Sequence, residues 1–218
     1  MAGGTRGILS GIVLLVLSWL AQPAMAGHQL YQPLSDSVRA SLGAAISDNP
    51  VTDAPVLASA DSQAWLLLMS DRLFHRMPDS EQRMDFLSTV YYESVRAGLD
   101  PSLVMGLIEV ESGFHKYALS NADARGYMQV MPFWVSLIGT PGQDLFHLRT
   151  NLRYGCNILR FYLDRENGDL NRALARYNGS LGKPEYPAMV WNAWHKHWSY
   201  TPVSLAMHDG QDKKMAGN

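Results

Sequence analysis

Apolar residues recur at three- and four-residue steps through most of the chain beyond residue 60, the period of a helix that buries one face. Asp61 and Ser62 open the first such segment, with Trp65, Leu68, Met69 and Leu73 in register. Pro78-Asp79 breaks it, and Asp79 with Gln82 three positions on resembles a capping box for a second helix. Met84, Leu87, Val90, Tyr91 and Val95 trace the buried face of that helix, and Gly98 closes it. Asp100-Pro101 starts a third: a side-chain N-cap, then a residue whose fixed φ suits the first helical position, with Gly113 as the stop. Residues 114–125 have no period and read as a loop, residues 126–132 as a compact turn from which Pro132 begins a short helix through Leu137. Leu148, Leu152, Cys156, Leu159 and Leu163 give a long amphipathic helix ending at Gly168. Asp169 caps another, carrying Leu170, Leu174 and Tyr177 and stopping at Asn178-Gly179. A last helix begins near Pro187 and carries Met189, Val190, Trp194 and Trp198. No strand-like alternation competes with these, and no internal repeat is present. The pattern predicts a mostly α single domain over residues 61–200. Residues 27–60, rich in Pro, Ser, Asp and Ala with scattered single hydrophobes, read as a linker or loosely held arm, and residues 201–218 as a flexible tail.

Composition adds little to this and excludes some classes. The 218 residues are 47% hydrophobic and 17% charged with a formal net charge of -2, which suits one globular domain with extensions. Near-neutral charge gives no push towards nucleic acid or an anionic membrane surface. Arg6, an apolar run over residues 8–20 and Ala24-Met25-Ala26 match a secretory signal peptide over residues 1–26, cleaved after Ala26. The run falls short of the roughly 20 residues that span a bilayer comfortably, so no stable membrane insertion is expected after cleavage. Cys156, the one cysteine, is far from the cleavage site, so it offers no lipid attachment there. No intrachain disulfide is available either, and the core must hold the domain alone.

The third helix places a carboxylate oddly. Val104, Leu107, Ile108 and Glu111 share one face, so Glu111 ends an otherwise apolar stripe. Glu109 lies about 200° round the helix from it, beside Ser102 and Gly106 on the polar side. A carboxyl on a buried edge has its ionised form disfavoured, so its pKa should rise towards a value useful for donating a proton. Pairing of Glu111 with an arginine, or a helix rotated in its socket, is the plainer alternative. Other chemistry is poorly supported. His195 and His197, two apart on a helix, face away from one another, and no HExxH or cysteine cluster is present, so no metal is expected. Ser112 and Ser180 lack a GxSxG context, and Cys156 reads as an inert core thiol. Around Glu111, Ser112 follows directly, Gly126 and Gln129 form a tight turn with an amide, and Tyr177-Asn178 end a helix. Singly these are caps and turns; jointly an acid, amides and aromatics fit carbohydrate binding.

Three ordered motifs carry a resemblance: Leu107-Ile108-Glu109-Val110-Glu111-Ser112-Gly113-Phe114, then Ala124-Arg125-Gly126-Tyr127-Met128-Gln129-Val130-Met131-Pro132, then Ala175-Arg176-Tyr177-Asn178-Gly179. With an Asn151…Gly155 helix between the last two, the chain from residue 99 to 194 resembles the soluble lytic transglycosylase domain. That resemblance implies a lysozyme-like α fold with a glycan-binding groove. It implies cleavage of the β-1,4 bond between N-acetylmuramic acid and N-acetylglucosamine in peptidoglycan, leaving a 1,6-anhydro ring. Glu111 matches the family's single catalytic acid/base, with Ser112 and Gly126 supporting. Ser120, Gln129 and Met131 match positions lining the groove, Tyr177 the motif tyrosine near the acid, and Asn178 its neighbour. Glu185 is a weaker match to a groove carboxylate. The implied setting is the periplasm, with peptidoglycan strands as partner, cell-wall or secretion machinery as further partners, a monomer, and no cofactor.

The chain also departs from the family pattern. Tyr127 replaces the usual leucine, Arg176 a small residue and Asp123 a common glycine. An inward Arg176 would shift the acid's pKa, while for both Arg176 and Asp123 an exposed charge is the plainer reading. Asp123 as a second carboxylate would make the enzyme a hydrolytic lysozyme, since hydrolytic glycosidases ordinarily use two. A glycan-binding protein of a secretion apparatus, with little activity, is the reading from another class.

Overall fold

The computed structural model describes residues 29–47 and 55–202; the signal peptide predicted over 1–26 and all but the first two residues of the predicted tail lie outside them. The described chain folds into eight α-helices: α1 (Asp36–Ser47), α2 (Ala60–Leu73), α3 (Ser80–Arg96), α4 (Pro101–Ser112), α5 (Phe133–Ile138), α6 (Leu148–Arg165), α7 (Leu170–Asn178) and α8 (Glu185–Ala193). A 3₁₀ turn, Pro55–Ala58, precedes α2, and a π-helical turn, Trp194–Trp198, follows α8. Local chemistry starts and stops them. Asp79, Asp100 and Asp169 accept from the backbone N–H of Gln82, Ser102 and Arg172, and Gly113 and Gly179 end α4 and α7 in the left-handed conformation. Among the described residues β pairing is limited to two isolated bridges, Leu119 with Arg125 and Arg125 with Val130, which tie the segment between α4 and α5 back on itself.

Helix α4 is the centre of the fold, packed by α3, α8 and the π-helical turn. Its predicted polar side is buried as well. Trp65 Nε1 donates to Ser102 Oγ at 2.9 Å, and a Cβ on Gly106 would lie 2.8 Å from the Trp194 backbone nitrogen. The helix is therefore wrapped on nearly all sides, as befits one so apolar, and only Val110 and Glu109 in its last turns reach partial exposure.

Two expectations change. The arm over residues 27–60 contains α1, which packs on α5 and α6 with Leu42 and Ile46 buried. Arg96 Nη2 donates to the Ala45 carbonyl at 2.8 Å and Arg153 Nη1 to that of Ile46 at 3.4 Å, so residues 29–47 are stitched to the domain. The few hydrophobes suffice because they dock on a core that already exists. Helix α8 begins at Glu185 rather than Pro187; Pro187 sits in its first turn, where a missing N–H costs nothing. Met189 on that helix is exposed.

Candidate active site

Glu111 occupies the last turn of α4, where left-handed Gly113 and Phe114 (φ 56° and 69°) swing the chain away and open a groove. The groove encloses about 920 Å³ and is walled by Ser112, Phe114, Tyr117, Ser120, Tyr127 and Gln129, with Glu111 at its floor. Glu111 is 2% exposed. Burial pushes its carboxyl up to about 8, opposed by the Tyr186 hydroxyl, which donates to Oε1 and favours the anion. Oε2 is buried, and no group among the described residues hydrogen-bonds it. Glu109, two residues earlier, has the opposite fate. Burial acts to raise it, but Arg76 at 2.9 Å, His197 at 3.0 Å and the Trp198 indole outweigh that and hold it below the ordinary carboxylate value.

Four of the residues singled out in the sequence meet at this groove: Glu111, Ser112, Ser120 and Gln129. Ser112 Oγ donates to the Ile108 carbonyl at 3.2 Å. Ser120 Oγ accepts from the backbone N–H of Ala122 and Ala124, at 3.2 and 3.0 Å, and so shapes the turn. Gln129, at φ 48°, donates Nε2 to the carbonyls of Ala118 and Gly126 at 3.1 and 3.0 Å. Gly126 needs its φ of 73°, and any Cβ there would lie 2.5 Å from Asn151 Nδ2. Asn151 itself accepts from Met128 N and donates to the carbonyls of Arg125 and Leu145, each at 2.8 Å, which clamps the loop to α6.

Met131, Tyr177 and Asn178 lie outside the groove lining. Tyr177 is buried and donates to the Met128 carbonyl at 2.7 Å rather than to Glu111. Burial first, and then the Glu111 charge, drive its phenol well above the ordinary value. Asn178 Nδ2 donates to Ser180 Oγ at 3.0 Å, and Met131 packs at the edge of the core. The tyrosine that touches the acid is Tyr186, 75 residues away in α8. Periodicity could not single it out, because only the packing of α8 on α4 brings it there.

The departures resolve as well. Asp123 forms a two-pronged pair with Arg125, at 3.0 and 3.1 Å, and is not part of the groove lining. Arg176 pairs with Glu166 at the end of α6. Tyr127 is buried against Phe86, with ring centroids 4.8 Å apart. Glu185 is exposed at the start of α8. His195 bonds the Trp191 carbonyl and His197 bonds Glu109. Among the described residues no group of three or more His, Cys, Asp or Glu could hold a metal ion.

Residues 89–186 match the family model described as Transglycosylase SLT domain. Membrane-bound lytic murein transglycosylase C of Mannheimia succiniciproducens is 44% identical over 64 residues, 29% of this chain and 16% of that protein. A transglycosylase of Enterobacteria phage PRD1 is 31% identical over 105 residues, 48% of this chain and 38% of the phage protein. The chain thus spans well under half the length of these relatives. An X-ray structure of an inactive mutant of the lytic transglycosylase Slt from Pseudomonas aeruginosa shares 18% identity at a TM-score of 0.41, over 68% of this chain and 35% of that one.

Proposed function

We propose that this protein, whose residues 89–186 match the Transglycosylase SLT domain model, is a peptidoglycan lytic transglycosylase. It cleaves the β-1,4 bond between N-acetylmuramic acid and N-acetylglucosamine and leaves a 1,6-anhydro end. The observation that carries this reading is a single carboxyl in the groove lining, Glu111, held neutral by burial up to about pH 8. Hydrolytic glycosidases place two carboxyls about 5–9.5 Å apart, whereas Asp123 is engaged with Arg125 outside the lining.

Glu111 first acts as acid. With Tyr186 on Oε1, the proton of the neutral carboxyl passes to the glycosidic oxygen as its bond to C1 breaks. The acetamido carbonyl of the same sugar stabilises the cationic C1. The Glu111 carboxylate, stabilised meanwhile by the Tyr186 hydroxyl, then takes the proton from the C6 hydroxyl as its oxygen closes on C1. The acid is regenerated, no water is consumed, and the steps need no cofactor. Ser120 and Gln129 line the groove for sugar contacts, with Ser112 and Gly126 shaping its floor and turn; Met131, Tyr177 and Asn178 support it from behind. Peptidoglycan as substrate calls for the periplasm, reached through the predicted leader. Among the described residues no helix is long and apolar enough to cross a membrane.

Mass spectrometry of digested peptidoglycan tests this. Anhydro-muramyl ends that vanish in Glu111→Gln are the expected outcome. Reducing ends, or undiminished clearing of walls by Glu111→Gln, would overturn it.

A further inference from the structure

Met131 and Tyr177 lie behind the groove, and a side chain a hundred residues upstream of Met131 touches both. Gln29 is buried; its Oε1 accepts from Trp134 Nε1 at 2.9 Å and from Met131 N at 3.4 Å. The Gln29 side chain also favours the Tyr177 anion, against the larger effect of burial. Tyr177 in turn donates to the carbonyl of Met128, the residue before Gln129. We propose that Gln29 is a positioning residue of the active site, holding the 128–134 segment against Tyr177 and thereby fixing Gln129 in the groove wall. This rests on the transglycosylase reading of that groove.

Gln129 and Gly126 adopt positive φ, and such residues persist where their surroundings over-determine them. Asn151 clamps the segment from the α6 side at Arg125 and Met128. Gln29 clamps it from the other side at Met131 and Trp134, so the strained turn lies between two buried amides. The arm does not need Gln29 to stay attached. Leu34, Leu42 and Ile46 are buried, and Arg96 and Arg153 bond the carbonyls of Ala45 and Ile46. The Gln29 amide therefore serves the site behind which it sits, rather than the anchoring of α1.

The test uses the full-length protein and kinetics on purified peptidoglycan. Gln29→Met keeps the side-chain length and removes both hydrogen-bonding groups. It should lower kcat/KM about tenfold, within the cost of misplacing a catalytic constellation, and shift the Trp134 indole N–H resonance. Arg39→Ala on the same arm should leave the rate unchanged. Tyr177→Phe should also lower the rate, and the double variant should lose no more than the worse single one. Should Gln29→Met fold poorly, Gln29→Glu decides: in either ionisation state it keeps an acceptor for Trp134 Nε1 and Met131 N, so activity per folded molecule should stay near wild type. A wild-type rate in Gln29→Met, losses that multiply in the double variant, or a folded Gln29→Glu protein with its rate lowered as far as tenfold would each overturn the proposal. Wild-type protein that releases no anhydro product would overturn the reading of the groove along with it.

Discussion

Glu111 keeps its proton because burial makes the anion costly, and that cost bears on stability as well as on chemistry. Its carboxyl binds a proton more tightly folded, at about 8, than unfolded, near 4.5. The native state therefore holds more protons between those values, and stability falls as pH rises through that window, by up to about 1.4 kcal/mol per unit. Glu111→Gln is thus expected to unfold at a higher temperature than wild type at pH 8, and at nearly the same temperature at pH 4, by calorimetry. Tyr186→Phe removes the donor that favours the anion, so the alkaline limb of the pH–rate profile should move upward from about 8 while the maximal rate drops. The position of Glu111 at the end of an apolar stripe was readable from spacing alone. Tyr186 was not, because its link to Glu111 depends on how two helices pack, and Tyr177, the tyrosine the motif pointed to, spends its hydroxyl on Met128.

Helices announced themselves where their ends are capped locally. Asp79, Asp100 and Asp169 act on backbone groups two or three residues away, so sequence and structure agree there. Helix α8 starts two residues before Pro187, which stands in its first turn rather than at its first position. The polar side of α4 is buried because Ser102 and Gly106 are small rather than solvated: one takes a hydrogen bond from Trp65, the other lets the Trp194 backbone close in. Gly106→Ala would set a methyl 2.8–2.9 Å from Trp194 backbone and Cβ atoms, none of which can swing aside. A loss of about 1–3 kcal/mol in urea unfolding is expected, as for other overpacked cores. A lower rate should accompany it, since α8 carries Tyr186.

Across the whole molecule, α3, α6 and the arm meet at one buried charge. Glu93 is fully buried, pairs with Arg153 at 2.9 Å and Arg96 at 3.5 Å, and the same two arginines bond the last carbonyls of α1. Glu93→Ala removes the buried carboxylate from this pairing and should cost about 3–5 kcal/mol. Limited proteolysis should then cut within residues 29–47 before the rest of the domain. The arm was illegible in advance because Leu34, Leu42 and Ile46 are too sparse to declare a core of their own; they matter only against a surface assembled from α5 and α6. Cys156 lies in the same region of α6, wholly buried, and burial drives its thiol pKa upward as well. A sulfur so enclosed meets a dye only when α6 separates from its neighbours. With no second cysteine to complicate the count, the speed of labelling becomes a stopwatch for how often the folded protein breathes open.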